Sequence, residues 1–421
     1  MSSNLRFDLQ RHTLDNGLQV VLHRDTRLPL VTVNIWYHVG SKNETPGRTG
    51  FAHLFEHLLF QGSENVGTND HFRYVQQVGG VANGSTWYDR TNYFETLPSH
   101  ELDRGLWLES DRMGFFLGGI HQEKLDNQRD VVMNERRQRV DNQPYGRATE
   151  CLYELLFPQG HPYRWPVIGY MEDIEAAELD MVKEFFETYY VPNNAVLTVA
   201  GDIDYDAALA KIERWFGPIA AGNPPPPPAV PTIQLDEVRR TVLEDQVKLP
   251  RVYCAFPAPR YGDQDWYTAD LLCTVLTGGK ASLLYDDLVL SRSLAQFVSA
   301  YVLPTEEASS FGFVLSGGPD IEPDALEDAL ITHLDNLRHD VLDETLVERA
   351  RNRLLRHHYQ ELQSLADRAD LMSQFATYFD APEMAAREIE RYREITAEDL
   401  RDLAHRYLDT GRRAVVTVPV P

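Results

Sequence analysis

Apolar and polar positions alternate along the chain in two successive runs of similar elements. The turn pair Asn16-Gly17 precedes Leu18–Leu22 and Leu30–Val39, both rich in β-branched or aromatic residues, so a β-hairpin or meander is expected at the start. A polar loop over 40–50, with Pro46, Gly47 and Thr49, leads into Phe51-Ala-His-Leu-Phe-Glu-His-Leu-Leu-Phe60, the first long helical pattern. A helical stretch near His71–Val78 and two short strands within 79–97 follow. Helical spacing returns over Ser99–Met113, Ile120–Val140, Glu150–Leu156 and Asp180–Tyr190, and a strand at Ala195–Ala200 and a helix at Tyr205–Phe216 close the first half.

The segment 222–231 then interrupts the pattern with five consecutive prolines, an extended and fairly stiff spacer that forms neither helix nor ladder. It divides the chain into expected domains at 1–221 and 232–421. Beyond it the order restarts: strands near Arg240–Val247 and Arg251–Ala255, a helix over Trp266–Leu276, Gly278-Gly279, a helix to Leu290, strands near Leu294–Val302 and Phe311–Ser316, and long helices after Pro323. Ala414-Val-Val-Thr-Val418 repeats Ala195-Val-Leu-Thr-Val199 at an offset of 219, each after a helix ending in tyrosine. The pattern reads as a duplicated domain.

Candidate chemistry concentrates in the first long helix. His53 and His57 are four apart and share a face, and Glu56 lies on the same side, so two imidazoles can meet one ion beside a carboxylate. The plain alternative is a pair of satisfied core histidines. Two histidines leave a zinc site one protein ligand short of the usual three plus water. Glu135, 78 residues after His57 in Val131-Val-Met-Asn-Glu-Arg-Arg137, is the candidate carboxylate, although by itself it reads as an exposed charge on a polar helix. The second half has no such motif, so one metal site per chain is expected. His71, His100, His121 and the pair His357-His358 have no carboxylate at ligand spacing and read as surface or helix residues.

Composition narrows the function. With 43% hydrophobic and 10% aromatic residues, the chain can build packed cores, and at 421 residues it is long enough for two or more. A net charge of -24 argues against nucleic acid, whose phosphates need clustered Lys and Arg. An acidic surface attracts basic peptides or simply keeps the protein in solution. The three cysteines, Cys151, Cys254 and Cys273, have no C-x-x-C spacing, which fits a reducing compartment. Met1–Asp8 lacks the apolar core of a signal peptide and no apolar run approaches a membrane span, so a cytoplasmic protein without a membrane partner is expected, or a periplasmic one whose signal peptide was removed.

Taken together, Asn16-Gly17, the His53-x-x-Glu56-His57 helix, Gly79-Gly80 with Asn83 and Thr86, Asp89 with Thr91 and Tyr93, Asn134-Glu135-Arg136-Arg137, and Leu276-Thr-Gly-Gly-Lys-Ala-Ser-Leu-Leu284 make the chain resemble the pitrilysin, insulysin and mitochondrial processing peptidase family of inverted zincins, in its short-chain dimeric branch. The resemblance implies an α+β fold of two tandem homologous domains. Each is a mainly antiparallel β-sheet packed with helices, and the molecule assembles clam-like as a dimer.

The resemblance also implies a Zn2+-dependent endopeptidase with His53, His57 and Glu135 as ligands and Glu56 as general base. Val81, Ala82, Asn83, Gly84, Ser85 and Thr86 look like the edge strand that receives peptide substrate. Two features depart from the family. Gln128 stands seven residues before Glu135, where relatives often place a glutamate that supports a ligating histidine. In the second half, Val289 and Gln296 occupy the places of an arginine and a tyrosine that bind substrate. The resemblance therefore implies a zinc-bearing subunit of a heterodimer, its zinc-less homologous partner supplying the Arg/Tyr pair, with a homodimer as the alternative. A non-catalytic scaffold that keeps the zinc site is the competing reading, and the retained Glu56 argues against it because a structural site needs no base.

Overall fold

The computed structural model describes residues 6–421. In chain order the strands are β1 (Leu9–Thr13), β2 (Gln19–Arg24), β3 (Leu30–Tyr37), β4 (Val81–Thr86), β5 (Thr91–Pro98), β6 (Ala195–Gly201), β7 (Arg239–Val242), β8 (Arg251–Ala258), β9 (Ala295–Val302), β10 (Ser309–Gly317) and β11 (Ala414–Val418). The helices that matter below are α1 (Phe51–Leu58), α2 (Asp70–Gln76), α3 (Leu102–Gly119), α4 (Gln122–Arg136), α5 (Ala148–Leu156), α6 (Met171–Glu175), α7 (Gln264–Thr277) and α8 (Leu365–Phe379).

The strands form two sheets with one topology. The first runs β1-β2-β6-β3-β5-β4 and the second β7-β11-β8-β10-β9. In each, one parallel pair (β2 with β6, β7 with β11) sits within an otherwise antiparallel ladder. Removing β1 superposes the two orders strand for strand, and the repeated segments Ala195–Val199 and Ala414–Val418 fall in equivalent strands, β6 and β11. The fold is therefore α+β with two homologous domains, each a mainly antiparallel sheet packed with helices.

The compact units are not contiguous in sequence. One contains residues up to Arg136, Pro166–Pro228 and Gln360–Arg387, and the other Arg137–Trp165, Ala229–Tyr359 and Glu388–Pro421. They change over within the proline run, between Pro228 and Ala229, but each also includes a helix from the other half of the sequence. In the first unit, β3 is buried on both faces. Val31, Val33, Ile35 and Tyr37 join the main core with Phe55, Leu58 and Leu106. On the opposite face Asn34 Nδ2, Trp36 Nε1 and Asn92 Nδ2 all donate to Asp370 Oδ1 of α8, at 3.0, 2.8 and 3.1 Å. In the second unit α5 packs on β8 and β11. The helices begin 217 residues apart, at Ala148 and Leu365, and each packs on the sheet of the other half of the sequence, so the exchange is reciprocal. A sheet buried on both faces needs a second layer, and local periodicity does not say which sheet a helix covers.

The expected opening hairpin is also rearranged. The Asn16-Gly17 turn joins β1 to β2, whereas β2 and β3 are separated by β6. β1, Leu-Gln-Arg-His-Thr, is a largely exposed edge strand without the apolar alternation that marks the others.

In the second unit, burial raises the Asp270 carboxyl on α7 to about 6, against a hydrogen bond from Tyr392 Oη at 2.8 Å that lowers it. A carboxyl that binds its proton more tightly when folded contributes stability below its unfolded value near 4 and loses it as pH rises through the folded one. Asp270→Asn is expected to leave stability unchanged at pH 4 and to raise it at pH 7.5 by roughly 2–3 kcal/mol, read by urea denaturation at the two pH values. Equal effects at both would contradict this.

Candidate metal centre and peptide edge

Helix α1 begins abruptly because Gly50, at φ 84°, takes a left-handed turn directly before Phe51. The buried carboxylate of Glu44 then caps it: Gly50 N–H donates to Oε2 at 2.9 Å and Ala52 N–H to Oε1 at 2.8 Å. Phe51, Leu54, Phe55 and Leu58 bury one face, leaving His53, Glu56 and His57 on the half-buried side.

Glu135 reaches that side from α4, which packs against α1 and α6 and is fixed one residue later by Arg136, whose Nη1 donates to Gly169 O at 2.7 Å. Glu135 Oε2 lies 3.3 Å from His57 Nε2 and 3.8 Å from His53 Nε2. The three ligand atoms all stand within 4.8 Å of one another. Donors held about 2.1 Å from a tetrahedral zinc stand roughly 3.4 Å apart, a spacing that the Glu135–His57 pair meets and the Glu135–His53 pair exceeds by a few tenths of an ångström.

Glu56, on the same side of α1, also reaches the sheet edge. Its Oε2 accepts from Thr86 Oγ1 at 2.7 Å. Burial lifts its carboxyl above the ordinary range, while the Thr86 hydroxyl, His57 and Arg90 pull it down again. Thr86 is the last residue of β4, which pairs only with β5 and so forms the edge of the first sheet. Val81 is 66% exposed and Asn83 is exposed, whereas Gly84 is buried, where a Cβ would stand 3.1 Å from Phe60. Ser85 Oγ donates to Asn92 Oδ1 at 2.7 Å, and Asn83 and Ala82 lie farther along the same strand.

These positions belong to one structural neighbourhood, and the comparisons give it a family. Residues 19–162 match the family described as "Insulinase (Peptidase family M16)", and residues 176–354 match "Peptidase M16 inactive domain". The chain belongs to peptidase family M16.

Among its M16 relatives is "Zinc protease PqqE" of Helicobacter pylori, 29% identical over 97% of this chain and 92% of that one. The crystal structure of a protease from Helicobacter pylori aligns with a TM-score of 0.89 at 28% identity, over 98% of this chain and 99% of that chain. The periplasmic protease PqqL from Escherichia coli aligns with a TM-score of 0.79 at 17% identity, a likeness of fold alone, covering all of this chain but 48% of that one. Among the described residues no helix is long and apolar enough to cross a membrane.

Several important residues lay outside the motif. Glu44 caps α1 from six residues before Gly50, beyond any local capping spacing. Arg90 Nη1 donates to Ser85 O at 2.8 Å and to Ser85 Oγ at 2.6 Å, bracing the end of β4. Gln128 is buried on α4, and its amide donates to Asn127 Oδ1 at 2.8 Å. His71 is not a surface residue: it is 4% exposed and shares its surroundings with Glu95 and Glu109. His358 is likewise buried, whereas His100 and His121 are exposed. Long-range pairing decides these placements, and spacing along the chain does not reveal it.

Because Glu44 supplies two acceptors to the first turn of α1, Glu44→Ala is expected to cost about 1–2 kcal/mol and to speed amide exchange at Gly50 and Ala52. Unchanged exchange there would contradict the cap.

Proposed function

We propose that this M16 chain is the zinc-bearing subunit of an endopeptidase that cuts peptides or unfolded segments. The observation that carries the reading is the convergence of His53, His57 and Glu135 beside Glu56, with Glu56 in turn bonded to the end of an open strand. His53, His57 and Glu135 would hold the ion, and a bound zinc acidifies a water and polarises a carbonyl.

The remaining roles follow from the protein's own groups. Glu56, raised by burial and held in place by Thr86, accepts the water's proton and returns it to the departing amine. A peptide added along the free edge of Val81–Thr86 makes main-chain hydrogen bonds that do not depend on its sequence. Since Thr86 touches Glu56, such a peptide runs toward the base at that end of the strand. Gln128, whose amide is bonded to Asn127, carries no charge at the position where the family resemblance implies a supporting glutamate, so histidine basicity is lower than a carboxylate would give.

The second half is not equipped to complete the site. By the family resemblance, Val289 and Gln296 take the places of the substrate-binding arginine and tyrosine, and Gln296 is exposed on β9, an edge strand. A homologous partner lacking the metal motif would supply that pair, and the PqqL chain, about twice the length matched here, supports pairing of two such halves. The alternative reading, a zinc-retaining scaffold, draws on the description of the second matched region as an inactive domain.

Glu56→Gln is expected to keep stoichiometric zinc by metal analysis and to lower peptide cleavage by about 10²–10⁴-fold. Equal cleavage by the variant would remove Glu56 as the base, and bound zinc with no cleavage even beside a partner would favour the scaffold. Mixing with a zinc-less homologue is expected to raise cleavage well above that of this chain alone. Full activity without a partner would end the heterodimer reading.

A further inference from the structure

A second cluster of titratable groups lies under the far end of α1. His71 on α2, Glu95 on β5 and Glu109 on α3 bring ligand atoms within 4.8 Å of one another, all buried. The set looks like a metal site, but a protein cation already stands there. Arg112, one turn after Glu109 and 3% exposed, places Nη1 2.7 Å from both Glu109 oxygens, and its Nη2 lies 3.1 Å from His71 Nδ1 and 3.2 Å from Nε2.

Charge accounting makes the cluster neutral. Burial and Arg112 keep His71 well below its usual range, so it is an uncharged acceptor. Burial and the neighbouring Glu109 push Glu95 well above the carboxylate range, and neither Glu95 oxygen meets another donor. A proton on Glu95 therefore lets it donate to Glu109, leaving one carboxylate for one guanidinium. Tyr37 and Tyr93 face the same cluster as neutral phenols. A Cβ at Gly105 would stand 2.8 Å from Glu95 Oε1, so the glycine makes room for the second carboxyl.

The remaining donor of Arg112 points elsewhere. Nε donates to Leu59 O, the carbonyl just past α1, at 3.2 Å, and the guanidinium lies over the rings of Tyr93 at 4.1 Å and Phe60 at 4.8 Å. The adjoining Asp111 accepts from Ser63 Oγ and from Asn65 Nδ2, holding the chain as it leaves α1. Tyr93 Oη donates to Phe55 O at 3.2 Å, inside the helix itself. We propose that Glu109-Ser-Asp-Arg112 is a positioning clamp for the metal-binding helix: Arg112, locked by Glu109 and His71, fixes the C-terminal end of α1 and so the stance of Glu56 and His57. The clamp rests on the zinc-site reading, but its test needs no turnover.

In Arg112→Lys the charge balance with Glu109 survives, while a single ammonium cannot serve Glu109, His71 and Leu59 O together. The variant is expected to lower zinc affinity in chelator competition, and kcat where cleavage is measurable, by about 10–100-fold, with KM within about twofold. Its cobalt form should show a shifted absorption spectrum, and amides over 55–60 should exchange faster. The double variant E109Q/R112M removes both charges and should fold with the same losses, whereas Glu95→Gln should retain fold and zinc affinity because the amide replaces the protonated carboxyl as donor.

Wild-type zinc affinity and exchange in both folded clamp variants would overturn the proposal, as would failure of both to fold, which would make the cluster a stability element alone. A wild-type protein that cleaves nothing, with variants of weakened zinc affinity, would sink the peptidase reading and leave the clamp standing.

Discussion

Helix α1 is short, and its eight residues must hold two histidines and a glutamate in fixed relation on a half-buried face. A helix of that length has little stability of its own, because nucleation costs are recovered only over longer runs. Its order comes from opposite charges at its ends. The Glu44 carboxylate meets the positive N-terminal end and the Arg112 guanidinium the negative C-terminal end, the arrangement that the aligned peptide dipoles favour. Both charges are buried, so the surrounding fold must supply their partners.

That requirement explains the architecture around the site. Arg112 can be buried beside α1 only because Glu109 balances it and Glu95 remains protonated, and Glu95 occupies a core position of β5 between Tyr93 and Leu97. The sheet that displays Glu95 inward must be covered on its other face as well. Helix α8, from the second half of the sequence, does this through Asp370, which gathers donors from Asn34, Trp36 and Asn92. The sheet beneath the candidate site thus depends on a helix from the far half of the sequence.

The same sheet ends in an edge strand beside α1. Because β4 is the last strand, its outer backbone groups have no neighbour in the sheet among the described residues, and Thr86 at its end touches the Glu56 carboxylate. The half-buried face of α1 and the sheet edge are therefore coupled by a hydrogen bond. Glu135 approaches the two histidines from α4 on that same half-buried side of α1.

Much of this was readable from the chain. The i, i+4 spacing of His53 and His57 follows from helix geometry, the proline run marks a changeover between units, and the Ala195 and Ala414 repeats mark equivalent strands, because periodicity and backbone propensity are local properties. What distance along the chain hides is partnership. Only the tertiary structure brought Glu135 against His57 and Glu44 onto the helix start, separated β2 from β3 by β6, and exchanged α5 and α8 between the two sheets. It also turned His71 from an apparent surface histidine into part of a buried, charge-balanced cluster. Spacing names the residues able to bind a metal, whereas burial and long-range pairing decide which charges face one another in a medium where an unpaired charge is too costly to keep.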